Sequence, residues 1–266
     1  MVDYLSTPHR RYLTWAQATV GLSGRDVLEV GGCTPVAEVR RMAPRSWVCF
    51  NLDEGAVADF NRDAQALQCP GYRALAQDAA SIELEARFEV AYSINSFEHI
   101  RDLATTLARI RSALVPGGAL FTVFGPIWSA DVGHHLSIPT ERGPINMFDG
   151  VLEPWEHLSS SPGDIYARLE PRLGAAIAQR VIEYVFSYPD LNRLSEADYL
   201  RLFAASGLTR VLLLRRRSPL RTPRGGGTRT RELLWLARKG KPSVLARARA
   251  ALGFAHGYVN ARRAGY

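Results

Sequence analysis

The stretch that decides the fold is Asp26-Val-Leu-Glu-Val-Gly-Gly-Cys-Thr-Pro35. A short, mostly apolar run carries an acid, Glu29, near its end and stops at two glycines, after which a helical pattern begins at Pro35. This order predicts a buried strand, a tight turn and the N-terminus of a helix. Because an open α/β sheet binds ligands at the carboxyl ends of its strands, we expect a ligand at Gly31 and Gly32.

The chemistry of this turn narrows the class of ligand. A glycine lets the backbone approach the ligand closely, and the N-terminus of the following helix favours a carboxylate. The carboxylate of Glu29, at the strand end, would attract an ammonium group. A ligand that has both an amino group and a carboxylate therefore suits this turn better than a pyrophosphate does.

Further strands and helices alternate along the chain. Short connections between them imply right-handed βαβ units and a parallel sheet with helices on both faces. Two last strands, at residues 208–214 and 232–237, are joined by a loop too short for a crossover helix, so we expect an antiparallel hairpin at the sheet edge. The other predicted strands are 46–52, 72–77, 88–94 and 119–124, and the predicted helices are 7–20, 35–42, 54–67, 101–114 and 195–206.

Residues 126–192 interrupt this alternation. Their hydrophobic periodicity is weak, and they hold three of the six histidines and two of the five tryptophans. We interpret them as an inserted lid rather than another βαβ unit. The chain then divides into an N-terminal helical cap (1–22), a ligand-binding core (23–125), the lid (126–192), the end of the core with its hairpin (193–240) and a basic helical tail (241–266).

Composition excludes several classes of protein. A chain of 266 residues with 47% apolar residues can bury a sizeable core, and no apolar run approaches the roughly 18 residues that a membrane span needs. Arg10 and Arg11 are not followed by the apolar segment of a signal peptide. Cys33, Cys49 and Cys69 are too few and too far apart for a disulfide framework or a zinc motif. We therefore expect a reduced, cytoplasmic protein.

The net charge of +7 is divided unevenly. Residues 1–209 contain 18 basic and 25 acidic side chains, whereas residues 210–266 contain 15 basic side chains and a single acid, Glu232. A solvated face, an anionic surface such as lipid or an acidic carrier protein, and RNA are the three interpretations of the basic end. The arginines are not accompanied by a binding platform of interleaved aromatic residues, so nucleic acid is not the expected partner. Apolar residues of the tail predict that it packs on another surface, and a second subunit in a homodimer is one candidate.

With these elements in this order, the chain resembles the class I S-adenosylmethionine-dependent methyltransferases over roughly residues 24–125 and 195–238. Glu29-Val-Gly31 matches the acid-x-Gly opening of that family, Leu114-Val-Pro-Gly-Gly-Ala-Leu120 its turn into strand five, and Phe88–Ile100 its strand four with the following Glu-His. The resemblance implies a Rossmann-like α/β fold with a seven-stranded, mostly parallel sheet, an antiparallel C-terminal hairpin and S-adenosylmethionine as the cofactor.

The resemblance also implies which residues hold that cofactor. Asn51 or Asp53 would bind the ribose hydroxyls, and Asp78 would contact the adenine amine. Cys33 and Pro35 stand where the family has two further glycines, so the backbone cradle must differ here. The full predicted cofactor set is Glu29, Gly31, Gly32, Asn51, Asp53, Asp78, Ala79 and Ser93.

The acceptor side is predicted near the end of strand four and in the lid. A base that removes the acceptor's proton would contribute about 10²–10⁴-fold to the rate, and the candidates are His99, His134 and His135. Trp128, Trp155, His157 and Tyr12 are the candidates for binding the substrate. Each has a structural alternative, such as a histidine bonded to a loop or an N-terminal helix packed on the sheet. A metal held by the lid histidines with Asp131 or Glu156 is an alternative that we do not predict.

The sequence pattern of residues 124–136 and 153–158 is similar to that of a bacterial methyltransferase subgroup whose genes lie near glycan and secondary-metabolite genes. We therefore predict methyl transfer from S-adenosylmethionine to a hydroxyl or amine of a small molecule, such as a sugar or natural-product intermediate. The alternatives are an RNA methyltransferase that uses the basic end and a non-catalytic S-adenosylmethionine-binding protein.

Overall fold

The computed structural model describes residues 6–141, 143–221, 223–242, 244, 247, 248, 250–253 and 255. The chain divides into two compact units. The core unit is Met1–Phe124, Leu202–Leu214 and Leu234–Tyr266, and the inserted unit is Gly125–Arg201 and Arg215–Leu233. The inserted unit is thus larger than the segment 126–192 that the sequence indicates, because it also takes in the far part of the C-terminal hairpin.

The strands follow the predicted order. They are β1 (Asp26–Val30), β2 (Ser46–Asn51), β3 (Tyr72–Ala76), β4 (Phe88–Ile94), β5 (Leu114–Phe124), β6 (Ser137–Ile138), β7 (Ile145–Asn146), β8 (Thr209–Arg217) and β9 (Thr230–Arg238). Seven of them form one sheet in the order β3-β2-β1-β4-β5-β9-β8, and β1 to β5 pair in parallel. The last pair is antiparallel. The predicted seven-stranded fold with a C-terminal hairpin is therefore confirmed.

β5 begins earlier than its pattern indicates. Pro116, Gly117 and Gly118 predict a turn before a strand at 119–124, but Leu114 already pairs with Phe88 of β4. The register then shifts, and Ala119 pairs with Val90. The turn residues are accommodated as an irregularity within the strand, and the amide of Gly117 donates to the carbonyl of Lys239 at the end of β9.

The helices of the core unit lie between the strands. They are α1 (Ser6–Thr19), α2 (Val36–Arg41), α3 (Glu54–Ala66), a 3₁₀ helix (Ala79–Ser81) and α4 (Leu103–Ala113). The longer helices turn apolar residues inward, such as Val57, Phe60 and Ala64 of α3. In α1, Tyr12 and Trp15 are both buried in the core and their rings contact edge to face.

The inserted unit has its own hydrophobic core. β6 and β7 form a small antiparallel pair, and three helices follow, α5 (Glu156–Ser159), α6 (Pro162–Leu173) and α7 (Ala175–Ser187). α6 begins at a capping box in which Ser161 and Asp164 bond reciprocally. Leu136, Ile165 and Leu169 pack with Ala178, Val181 and Val185 of α7. Within α6 and within α7 these residues have helical spacing. The prediction of an irregular lid missed this signal.

The helix α8 (Glu196–Ala205) runs from the inserted unit into the core unit. It begins with the predicted reciprocal bonds between Ser195 and Asp198. In the basic tail, Ala250 is buried, and a Cβ on Gly253 would overlap the carbonyl oxygen of Ala18 in α1. The tail therefore packs against α1; its residues 256–266, like the N-terminal residues 1–5, lie outside the described part of the chain. No helix among the described residues is long and apolar enough to cross a membrane.

Candidate cofactor site

The glycine turn after β1 is fixed by close packing. Gly31 has φ +82°, and a Cβ there would lie 2.4 Å from Cβ of Ser96, which follows β4. The amide of Gly31 donates to the carbonyl of Phe50 in β2 at 2.9 Å. A residue other than glycine would thus strain the backbone and separate the ends of β1 and β4. The turn lies where the sequence predicts it.

Glu29 stabilises this turn from inside the protein, which corrects its predicted role as the partner of an ammonium group. Its side chain is 2% exposed, and its two carboxylate oxygens accept hydrogen bonds from the amide of Thr34 at 3.1 Å and from Nε1 of Trp47 at 2.7 Å. The hydroxyl of Thr34 donates to Oε1 at 2.6 Å. Burial raises the pKa of Glu29, although these three donors oppose the rise. A Cβ on Gly32 would lie 2.7 Å from Oε1, so that glycine lets the loop fold over the carboxylate.

The end of β2 offers polar and apolar groups next to each other. Oδ1 of Asn51 accepts from the amide of Asp53, and Oδ1 of Asp53 accepts from the amide of Ala56 and caps α3. Between them lies Leu52, which is 70% exposed. An exposed leucine directly after a buried strand is an apolar surface at the ligand-binding edge. The sequence interpretation missed Leu52, although its position between Asn51 and Asp53 was the available signal.

The end of β3 lies beside that of β2. The amide of Gln77 donates to the carbonyl of Asn51 at 3.1 Å, which brings the two strand ends together. Oδ1 of the next residue, Asp78, accepts from the amide of Ala80 at 2.8 Å and caps the 3₁₀ helix. Asp78 is exposed, whereas Ala79 is buried. Gly31, Asn51 and Asp78 thus lie at or just after the ends of three neighbouring parallel strands, at the same edge of the sheet.

Of the two predicted site residues in and after β4, Ser93 is buried and His99 is exposed. Ser93 is fully buried, and its hydroxyl donates to the carbonyl of Val30 at 2.8 Å. It ties β4 to β1 rather than reaching the surface where a cofactor would bind, which corrects its assignment. His99 is exposed and follows β4 at the same edge, with its amide donating to the carbonyl of Ser96.

Tyr12 is also corrected by the structure. The ring is 3% exposed within the core, and Nη2 of Arg11 donates to its hydroxyl at 2.8 Å. The alternative of an N-terminal helix packed into the body of the protein therefore accounts for it, and it is not a surface for substrate.

The histidines of the inserted unit are largely buried. The amide of Leu136 donates to Nδ1 of His134, and Nε2 of His157 bonds the carbonyl of Trp128. Burial lowers the pKa of His134 to about 3 and that of His157 to about 4. Nε2 of His135 bonds the carbonyl of Pro126. All three histidines therefore have structural bonds to the backbone, and His134 and His157 are neutral and weakly basic.

The two tryptophans of this unit differ. Trp155 is 2% exposed, with φ +61°, and its Nε1 donates to the carbonyl of Thr228 at 3.0 Å. It is a core residue, which corrects its assignment to substrate binding. Trp128 is half-buried and contacts the ring of His157 edge to face, while the guanidinium of Arg193 lies 5.5 Å from the centre of its ring.

The acids considered for a metal are paired with arginines instead. Asp131 is fully buried and accepts from Nε of Arg231 at 2.7 Å and from the hydroxyl of Ser218 at 2.7 Å. Glu156 accepts from Nε of Arg168 at 2.8 Å. Within the described residues, no three histidine, cysteine or acidic side chains are grouped so that they could hold a metal ion.

Comparisons with known proteins agree with this architecture. Residues 28–122 match the family model described as a methyltransferase domain. A ubiquinone biosynthesis O-methyltransferase from Pseudomonas fluorescens is 27% identical over 113 residues, 41% of this chain and 48% of that protein. One from Azotobacter vinelandii is 28% identical over 113 residues, with the same shares. The chain thus spans about half the length of the curated relatives it matches.

Solved structures show the same fold at low identity. An S-adenosylmethionine-dependent methyltransferase from Mesorhizobium loti is 14% identical, with a TM-score of 0.55 over 86% of this chain and 97% of that one. A geranyl diphosphate C-methyltransferase from Streptomyces coelicolor A3(2) is also 14% identical, with a TM-score of 0.56 over 90% of this chain and 81% of that one. Residues 28–122 thus match a methyltransferase domain in sequence, and the order of the seven strands is that of the class I S-adenosylmethionine-dependent methyltransferase fold.

Proposed function

We propose that the protein transfers a methyl group from S-adenosylmethionine to a hydroxyl or amine of a small molecule. The observation that carries this proposal is the arrangement at the carboxyl ends of β1, β2 and β3. A tight glycine turn, an amide beside an exposed leucine, and an exposed carboxylate follow three neighbouring strands. These groups match the amino acid, ribose and adenine parts of the cofactor in that order.

Each part of the cofactor has its proposed partner. The backbone of residues 31–34 receives the methionine part, and Glu29 positions that backbone through Thr34. The side-chain amide of Asn51 binds the ribose hydroxyls. We prefer Asn51 to Asp53 because Asn51 is the last residue of β2, at the sheet edge itself, whereas Asp53 lies two residues further on, at the start of α3.

The adenine ring of the cofactor is proposed to lie against Leu52. Its exposed side chain supplies the apolar face that an adenine ring packs on. Asp78 uses Oδ1 for the helix cap, and a carboxylate has a second oxygen that can accept a hydrogen bond from the adenine amine. Ala79 is small and buried next to it, so it forms the floor rather than a polar contact.

Catalysis of methyl transfer consists mainly of alignment, because the sulfonium is itself a good leaving group. Positioning the acceptor in line with the methyl group can contribute roughly 7–11 kcal/mol. Among the candidate bases we favour His99, because it is exposed and follows β4 at the cofactor edge. His134 is a poor general base because burial lowers its pKa to about 3. The acceptor-binding role of the inserted unit stays a prediction.

The nature of the acceptor is inferred from the curated relatives. They are named as ubiquinone biosynthesis O-methyltransferases, which supports a hydroxyl group as the methyl acceptor. An RNA substrate is less consistent with the basic hairpin, because three of its arginines have acidic partners within the protein. Arg215 pairs with Glu196, Arg216 with Glu232 and Arg231 with Asp131.

Calorimetric titration with S-adenosylmethionine and S-adenosylhomocysteine tests the cofactor part. We expect saturable one-to-one binding that Leu52→Ala and Asn51→Ala each weaken about tenfold. Leu220→Ala, which truncates an exposed leucine of the inserted unit, is the matched control and leaves the affinity unchanged. The absence of binding by the wild-type protein at high micromolar cofactor would reject the proposal.

Transfer of a radiolabelled methyl group to a panel of phenols, sugars and amines tests the reaction. With an accepted hydroxyl substrate, we expect His99→Gln to lower kcat about 10²–10⁴-fold while the cofactor affinity stays normal. Near-normal turnover of this variant would show that positioning alone carries catalysis. Cofactor binding without transfer to any acceptor would instead favour the non-catalytic binding protein.

A further inference from the structure

Two cysteines of the cofactor edge are in contact. Cys33 lies in the glycine turn after β1, and Cys49 lies within β2. Their sulfur atoms are 3.6 Å apart, and both are free thiols. Sulfur atoms at this distance can form a disulfide, whose length is about 2.05 Å, after one of them moves by about 1.5 Å.

The two thiols differ in their surroundings. Cys49 is fully buried, and its pKa is raised by the hydrogen bond with Cys33 and by burial. Cys33 is only half-buried, so a small oxidant can reach it. Nδ2 of Asn51, the proposed ribose ligand, contacts the sulfur of Cys33 at 4.0 Å. A covalent change at Cys33 therefore occurs within the proposed cofactor site.

We propose that Cys33 and Cys49 form a modification site at which a peroxide produces a disulfide, and that this disulfide lowers the affinity for S-adenosylmethionine. The second half of this proposal rests on the proposed function, whereas the first half depends only on the thiol pair.

Hydrogen peroxide is the only oxidant that this reaction needs. The thiolate of Cys33 attacks one peroxide oxygen, so that an S–O bond forms, the O–O bond breaks and hydroxide leaves. The sulfur of Cys49 then attacks the sulfur of Cys33, which forms the S–S bond and expels water after the proton of Cys49 is transferred. Two thiols have lost two electrons, and one hydrogen peroxide has become two waters.

The structure indicates which part of the site would move. Cys49 is held within the sheet, where it pairs with Glu29 of β1 on one side and Ala74 of β3 on the other. Cys33 lies in a loop, so the movement falls on residues 31–34. That loop carries Thr34, whose bonds to Glu29 position the backbone proposed to receive the methionine part.

Oxidation of the full-length protein with hydrogen peroxide, followed by tryptic mass spectrometry without reductant, tests the disulfide. We expect a linked pair of peptides, residues 26–40 and 46–62, with a mass lower by two hydrogens than the sum of both. Cys69→Ser, which removes the other half-buried thiol, keeps this link, and Cys33→Ser abolishes it. A link that involves Cys69, or no link while Cys33 is oxidised, would overturn the proposal.

Calorimetry on the same samples tests the consequence. We expect oxidation to raise the Kd for S-adenosylmethionine at least tenfold in the wild-type protein and in Cys69→Ser, and dithiothreitol to restore it. Equal affinity of the oxidised and reduced proteins would overturn this half. If the reduced wild-type protein binds no cofactor, the proposed function fails, whereas the linked peptides still decide whether the thiol pair is oxidised.

Discussion

Three aspartates of the core unit cap the start of a helix, and Asp78 is the one that we also propose as a cofactor ligand. Asp53, Asp78 and Asp102 each follow a strand, and each accepts a hydrogen bond from a backbone amide at the start of the next helical turn. Such a cap contributes about 1 kcal/mol. A ligand-binding acid in this fold is needed at the same place. The sequence could therefore predict that an acid belongs there, but it could not tell a cap from a ligand.

Gly31→Ala is a sharp test at the same scale. The positive φ costs roughly 1–2 kcal/mol for an alanine, and overlap with Ser96 adds about 1–3 kcal/mol. Gly117 has nearly the same φ, +80°, but a Cβ there meets nothing within 4 Å. We expect chemical unfolding to show a larger loss of stability for Gly31→Ala than for Gly117→Ala, and calorimetry to show a loss of cofactor affinity only for Gly31→Ala. Equal losses in both variants would refute the close packing of the turn.

The buried histidines of the inserted unit predict a dependence of stability on pH. The pKa of His157 is about 4 in the folded protein and about 6.5 when unfolded. The unfolded chain therefore binds the proton first, and the folded state loses stability as the pH falls from 6.5 towards 4. We expect urea unfolding to show a steep loss between pH 7 and pH 5, and His157→Gln to remove up to about 2 kcal/mol of it. The same slope in both proteins would contradict a neutral, buried His157.

At the scale of elements, the loop after β5 and the start of β9 are joined by a buried ion pair. Asp131 and Arg231 are 100 residues apart in the chain. From the sequence, Asp131 could be a metal ligand, because an arginine 100 residues away cannot be recognised as its partner. The helices α6 and α7 were missed for a different reason. The segment contains several prolines and histidines. The apolar residues show helical spacing within α6 and within α7, but the spacing does not continue from one helix to the next.

Asp131→Asn tests how much this pair stabilises the inserted unit. Burial alone would raise the pKa of Asp131, but hydrogen bonds from Arg231 and Ser218 lower it overall. Its stabilisation is thus present above a pH of about 4 and lost as the pH falls further. We expect the variant to lose about 3 kcal/mol at pH 7 and less at pH 3. Asp59→Asn, which breaks an exposed pair with Arg62, is the control and costs under about 1 kcal/mol.

At the scale of the whole molecule, the order of the sheet followed from the sequence because strand and helix periods alternate and connections are short. The boundary of the inserted unit did not follow, because β8 and β9 each continue from one unit into the other without a break in their pattern. The division of the net charge between an acidic body and a basic C-terminal end also does not follow the boundary between the two units. The basic C-terminal end supplies Arg215, Arg216 and Arg231, which neutralise acids of the inserted unit.

The cofactor proposal predicts a local response in this two-unit molecule. Binding of S-adenosylmethionine to the folded state alone adds roughly 3 kcal/mol at a hundredfold excess over Kd. We expect hydrogen exchange to slow most in residues 29–35, 51–54 and 76–81, and to change little in α6. Protection confined to α6 and α7 would place the ligand in the inserted unit and refute the assigned site.

The path of the chain has a consequence for its synthesis. The chain enters the inserted unit at Gly125, leaves it after Arg201, and returns from Arg215 to Leu233. Asp131 emerges from the ribosome long before Arg231, and until then its carboxylate has no arginine to neutralise it there. The parallel strands β1 to β5 can pair while the rest is still being translated, whereas the inserted unit is completed only after β9 has begun. The nascent protein is therefore expected to pair β1 to β5 first and to complete both units only after β9 has been synthesised.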